Sequence, residues 1–132
     1  MNLTSFISSL GGRVLLSAIF ISAGISKLGA GYEPTLGYME MMGVAGGLLP
    51  LVIATEILGG IAVLLGFHTR VAAFLLAGFS VLAAVVFHFD FADQMQSILF
   101  MKNLAIAGGL LTLVAHGAGA LSLDNLRASR AR

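Results

Sequence analysis

Four long apolar runs dominate this chain, and each is close to the length needed to cross a hydrocarbon core roughly 30 Å thick. They extend from about Phe6 to Leu28, Val44 to Gly66, Val71 to His88 and Ile98 to His116. Lipid offers no partner to a bare peptide group, so such runs must satisfy their own backbone, and a helix does so. The predicted fold class is therefore all-α, an integral membrane bundle of four transmembrane helices. Composition agrees: 58% of the 132 residues are hydrophobic and 10% are charged, too few charges to cover a soluble domain. No separate soluble domain fits in the remainder, and one membrane domain is expected over residues 1–132. The first run places Arg13 inside its apolar stretch, lacks a basic leader and is too long for the core of a signal peptide, so it reads as a retained helix.

Charge narrows the function classes. A net charge of +1 with no basic stripe gives no footprint for nucleic acid. The absence of cysteine removes disulfides, thiolate metal sites and thiol redox relays, and no other set of metal ligands is expected. Arg70 lies in the short second turn, and Arg127, Arg130 and Arg132 make a basic tail. Glu33 and Glu40 occupy the first loop, and Asp90 and Asp93 the third. The positive-inside rule then puts both termini in the cytoplasm, with Lys27 as a mild exception. In the first loop, Pro34 is placed to open a short helix through Met42, lying on the outer end of the bundle like a lid.

Charged residues within the runs carry the functional signal, because each costs about 2.5–3.5 kcal/mol at a bilayer centre and normally faces protein or a polar cavity. Arg13, Ser17, Phe20, Gly24 and Lys27 recur at three- and four-residue steps on one face of the first helix. Ala73, Ala77, Ser80, Ala84 and His88 do so in the third, and Lys102, Ala105, Gly109, Thr112 and His116 in the fourth. The second carries Glu56 beside Gly59 and Gly60. These faces are expected to meet. Arg13 is the expected partner of Glu56, since a guanidinium fork suits a carboxylate. Lys102 would either extend toward Glu56 or snorkel outward near His88. The candidate polar or ligand-binding site is thus Arg13, Glu56, His88, Lys102 and Asn103; a structural ion pair that only fixes helix register fits the same residues. His68 and His116 fall at the same end and could approach each other, but neither sits well inside the bilayer, which argues against haem.

Taken in order, these fragments resemble the DoxX family of small bacterial inner-membrane proteins. The resemblance rests on RVLLSAIFISAGISKL from Arg13, on Glu56-Ile-Leu-Gly-Gly60, and on Gly66 followed by Arg70. Phe87-His88, Phe100-Met101-Lys102-Asn103-Leu104, Gly108-Gly109 and Ser122-Leu123-Asp124 continue it. It implies four helices in the inner membrane. By similarity to a subunit of archaeal thiosulfate:quinone oxidoreductase and quinol-oxidase systems, it also implies a quinone- or redox-linked setting. Some relatives resemble accessory subunits of a sulfur-handling and superoxide-detoxifying membrane complex. No catalytic motif accompanies that likeness.

The expectation is accordingly an accessory subunit of a redox or oxidative-stress complex, touching the bilayer and redox partner proteins, with a quinone as the one cofactor in view. A scaffold without its own ligand is the alternative. A small transporter is the third reading; small multidrug exporters have a comparable size, but their essential glutamate lies in the first helix, where this chain has Arg13. Glycine-rich surfaces would suit a homodimer as well as a monomer.

Overall fold

The computed structural model describes residues 2–132, and among them there is helix and turn but no strand. Four helices are long and apolar enough to cross a membrane. They are α1 (Leu3–Ser26), α3 (Leu49–Leu65), α4 (Thr69–Phe87) and α5 (Gln94–His116); the short α2 (Tyr32–Met41) and α6 (Leu123–Arg130) lie outside that set. The starts are capped locally. Asn2 accepts from the Ser5 N–H at 2.8 Å to open α1, and Asp93 accepts from the Met95 and Gln96 N–H groups to open α5. Pro50 sits in the first turn of α3, where a missing N–H costs nothing.

Helices α1 and α3 pack closely, as do α4 and α5, and the α3–α4 contact joins the two pairs. Packing in lipid draws on close approach, and glycine permits it. A Cβ placed on Gly60 would come within 2.7 Å of Ile21 Cγ1 and 3.3 Å of the Ile21 backbone nitrogen. A Cβ on Gly59 would meet Leu76 Cδ2 of α4 at 2.9 Å.

The burial pattern is that of a membrane protein. Large apolar side chains such as Leu15, Leu58, Phe74 and Leu82 are exposed, whereas Arg13, Ser17, Glu56, Thr69 and Ser80 are buried. Ser17 and Ser80 return their hydroxyl hydrogens to the Val14 and Leu76 carbonyls, so neither introduces an unsatisfied donor. The apolar core divides in two. One part, with Val63, Leu76 and Leu110, fills the half of the bundle near the α3–α4 turn. The other, Met39, Leu49 and Ile53, lies beneath α2 at the opposite end.

The predicted faces of α1, α3 and α4 are the buried ones: Arg13, Ser17, Phe20 and Gly24; Glu56 and Gly60; Ala73, Ala77, Ser80 and Ala84. The predicted stripe of the last long helix is corrected. Helix α5 buries Ala107, Leu110 and Leu113, while Lys102, Ala105, Thr112 and His116 are exposed. Its polar groups tolerate that position because the Thr112 hydroxyl donates to the Gly109 carbonyl and His116 Nδ1 pairs with the Thr112 carbonyl. The first loop forms its short helix, with Tyr38 stacked on Phe87 at 5.5 Å between ring centres. The basic tail is also helical in α6, opened by Ser122 accepting from the Asn125 N–H.

Gly60→Ala should lower stability by about 1–3 kcal/mol, because its Cβ must displace Ile21 along the close α1–α3 contact. Gly108→Ala meets open space and should not destabilise. Thermal unfolding in mild detergent compares the two directly, and equal melting temperatures would contradict this packing.

Candidate ligand cavity and the tail lock

Between the two core regions lies a cavity of about 590 Å³, within the size range of small-molecule sites. Its walls come from all four long helices and from α2, and they are mostly apolar. The cavity contains the one ion pair found among the described residues. Lys27 Nζ lies 2.8 Å from Glu56 Oε1 and donates to Oε2 at 3.1 Å and to the Ala23 carbonyl at 3.2 Å. Glu56 is 2% exposed, whereas the Lys27 side chain is 23% exposed. The ammonium thus straddles both carboxylate oxygens, and Oε1, its nearer contact, is fully buried.

Glu56 is therefore paired with Lys27, and the expected Arg13–Glu56 pair is corrected. The reason is level along the bundle. Gly24 is the residue of α1 that lies against Glu56, since a Cβ there would be 3.2 Å from Glu56 Cβ. Arg13 lies eleven residues earlier, about 16 Å along the helix axis, too far for a side chain to reach. Lys27 is one turn beyond Gly24, within reach. The sequence carries the signal, since Lys27 lies on the same stripe as Arg13 and Gly24, but a lysine at a helix end also reads as one that snorkels to the interface.

Arg13 has a different task at the other end of the bundle. It is 1% exposed, and its Nη1 donates to the Leu64 carbonyl at 2.9 Å and to the Val63 carbonyl at 3.5 Å. Nη2 donates to the Leu121 carbonyl. These contacts serve the C-terminus of α3, whose last carbonyls lack intrahelical partners and which carries the negative end of the helix dipole. Gly66 adopts φ +68° to turn the chain there, and the Phe67 N–H returns to the Ala62 carbonyl at 2.8 Å.

Immediately after this turn, α4 presents its orphan N–H groups, and Asp124 from the tail receives them. It accepts from the His68 N–H at 2.7 Å, the Thr69 N–H at 2.9 Å and the Thr69 hydroxyl at 2.7 Å. The Asp124 N–H donates to the Gly66 carbonyl at 2.8 Å. Partial burial alone would raise the Asp124 carboxyl. The hydrogen bonds from Thr69 and His68, with the nearby imidazole, outweigh it and hold the group below the usual carboxylate range. Arg127 completes the lock, donating to His68 Nε2 at 2.9 Å and lying over the Phe67 ring. His68 and His116 are thus engaged with separate partners rather than with each other.

Of the five predicted site residues, Glu56, His88 and Asn103 border the cavity together. Arg13 belongs to the tail lock, and Lys102 is exposed outside the cavity. His88 pairs through Nδ1 with Gln96 Oε1 at 2.8 Å.

The DoxX family model matches residues 8–89, which is more than half of the chain. The chain belongs to the DoxX family. Among curated proteins it is 51% identical to the inner membrane protein YqjF of Escherichia coli over 114 residues, covering 86% of this chain and 87% of that one. It is 35% identical to the inner membrane protein YphA of the same organism over 119 residues, covering 85% and 84%. No solved structure matches the chain. The DoxX match takes in Arg13, Lys27, Glu56, Gly66 and His88, hence residues from both constellations, while Asp124 and the tail helix lie beyond it.

Two outcomes test the geometry. Lys27→Met alone strands a buried carboxylate and should cost about 3 kcal/mol, the lower end for a broken buried pair because Lys27 is partly exposed. Lys27→Met with Glu56→Leu should restore most of that loss, as read by melting temperature in detergent. For the tail, Asp124 has a depressed carboxyl, so its contribution is complete above the ordinary carboxylate pKa, about 4, and is lost as pH falls through the lower folded value. The melting temperature of the native chain should drop on acidification below that point. Asp124→Asn should begin lower and show a shallower acid dependence; parallel profiles would remove Asp124 from the lock.

Proposed function

We propose that this DoxX-family protein is an accessory subunit of a quinone- or redox-linked complex in the bacterial inner membrane, serving oxidative-stress or sulfur chemistry, and that its cavity holds the head of an isoprenoid cofactor. The observation that carries this reading is a buried ion pair set in the wall of a mostly apolar cavity. A pair needed only to join α1 to α3 could be replaced by packed apolar side chains with little loss of stability. Placed beside open volume, it instead offers polar contacts to a ligand whose bulk the apolar walls accept. The redox setting comes from the family likeness and is an analogy.

Orientation follows from charge. Arg70, Arg127, Arg130 and Arg132 gather at the tail end, so both termini are assigned to the cytoplasm and the cavity to the opposite half of the bilayer. The competing reading, a scaffold whose charges only set helix register, draws on the fact that Lys27 and Glu56 bridge two helices already in close contact.

Gentle extraction into lipid nanodiscs, an absorption spectrum, and mass spectrometry of the solvent extract separate these readings. A near-stoichiometric quinone or related isoprenoid is expected with the native chain and should be largely lost from the Lys27→Met/Glu56→Leu double variant. A colourless, empty protein of normal stability, with no co-purifying partner, would favour the scaffold.

A further inference from the structure

A second pocket lies beside the tail lock, at the end of the bundle away from the Lys27–Glu56 pair. The start of α4, the loop after α5 and the start of α6 enclose about 580 Å³ that opens to the surface. Arg70 stands on its wall, exposed and without a hydrogen bond or ion pair among the described residues. Its guanidinium lies back against the chain. A Cβ on Gly117 would be 3.5 Å from Arg70 Nε and Nη2, and Gly117, at φ +77°, has none. The charge is thereby held over the start of the loop.

The rest of the wall is richer in free donors than in free acceptors. The Ser122 hydroxyl donates to the Gly119 carbonyl at 2.8 Å, and the Asn125 amide to the Ala120 carbonyl at 2.9 Å. The N–H groups of Gly119 and Ala120 have no acceptor among the described residues, and both residues are accessible at least in part. Asp124 is the one carboxylate on the wall, and its two oxygens already take the His68 and Thr69 donors. Arg127, bonded to His68 Nε2 at 2.9 Å, adds a second positive charge at the edge. An anion with several oxygens supplies what this wall lacks, and a guanidinium suits phosphate.

The surroundings decide which phosphate. Val71 belongs to the wall, and Leu75 and Leu82 follow it along α4 at steps of four and seven residues, so the three share one helix face. All three are exposed, as are Leu121 and Leu126 on either side of the segment from Ser122 to Asn125. An apolar stripe that runs from the pocket down a membrane-spanning helix suits acyl chains, and the pocket lies where such chains begin.

We infer that this pocket is a headgroup site for an anionic phospholipid, with Arg70 paired to the phosphodiester and the loop N–H groups completing its contacts. A zwitterionic lipid brings a cation beside Arg70 and Arg127, and the carbonyls and carboxylate that would receive it are engaged. Net negative headgroups are therefore preferred. Because Thr69 and Asp124 share the wall, a bound headgroup also braces the tail against the α3–α4 turn. The site is separate from the ligand cavity and does not rest on the quinone-linked reading.

The test uses the full chain, purified in dodecyl maltoside and washed free of lipid. It is titrated with dioleoylphosphatidylglycerol, dioleoylphosphatidylethanolamine and glycerol 1-phosphate, with binding read by native mass spectrometry and thermal stabilisation. Phosphatidylglycerol should bind about tenfold more tightly than phosphatidylethanolamine, the scale of one charge-assisted pair, and glycerol phosphate should not stabilise the protein over the same range. Arg70→Gln removes an exposed side chain with no partner in the fold, so it should melt as the lipid-free native chain does and lose the preference. Arg130→Gln removes a tail charge outside the pocket and should keep it. A preference that survives Arg70→Gln, or that falls equally in both variants, would assign the attraction to the basic tail as a whole and overturn the pocket. Glycerol phosphate binding as tightly as the lipid would overturn the lipid assignment and leave phosphate recognition standing. Equal binding of the two lipids would overturn the proposal altogether.

Discussion

A helical turn at a membrane boundary brings two kinds of orphan group together: carbonyls at the end of one helix and N–H groups at the start of the next. In this protein the α3–α4 turn is where that constraint is met, and distant parts of the chain are arranged to meet it. Arg13 of the first helix supplies positive charge to the α3 carbonyls, and Asp124 of the tail supplies negative charge to the α4 N–H groups. Each charge is opposite in sign to the helix end it serves. The same two residues lie close enough to act on one another. Gly66, between the helices, must be free of a side chain, because a Cβ there would press on Arg13, Ser122 and Ala118. Fixing this end of the bundle leaves the cavity to the opposite half.

The two ends therefore use charge differently. At the turn, guanidinium and carboxylate serve mainly backbone groups, and their geometry is that of caps. In the cavity wall, Lys27 and Glu56 serve each other, with the ammonium within 3.1 Å of both carboxylate oxygens. The separation also explains why one set of intramembrane charges divides into two constellations at opposite ends of the molecule.

Much of this architecture is legible in the amino-acid sequence. Bilayer-length apolar runs define the four helices, and small or polar residues at helical spacing mark the buried faces of α1, α3 and α4. Glu56 stands out because a carboxylate in the middle of an apolar run is costly in lipid and must turn toward protein or a cavity. Its partner is harder to read. Choosing between Arg13 and Lys27 requires the axial register of α1 against α3, which is set by how Gly24 and Gly60 nest against their neighbours. The α5 face is obscured for a related reason: threonine and histidine there bond within their own helix, so polarity does not mark the inner side. The role of Asp124 is non-local, since its partners lie more than fifty residues away.

The stitching of the tail to the α3–α4 turn has a consequence for how the protein is made. Helices enter the membrane in the order of their synthesis, and α1, α3 and α4 are available before α5 leaves the ribosome. Arg13 can reach the α3 carbonyls at that stage, but its contact with Leu121, and the whole Asp124 cap, wait for the stretch that follows α5. Until then the start of α4 holds uncapped N–H groups and Arg13 lacks part of its shell. The nascent bundle is a provisional assembly, closed by the segment after α5 much as a clasp closes a chain, and quality control acting on a product stalled before that segment would meet an open turn.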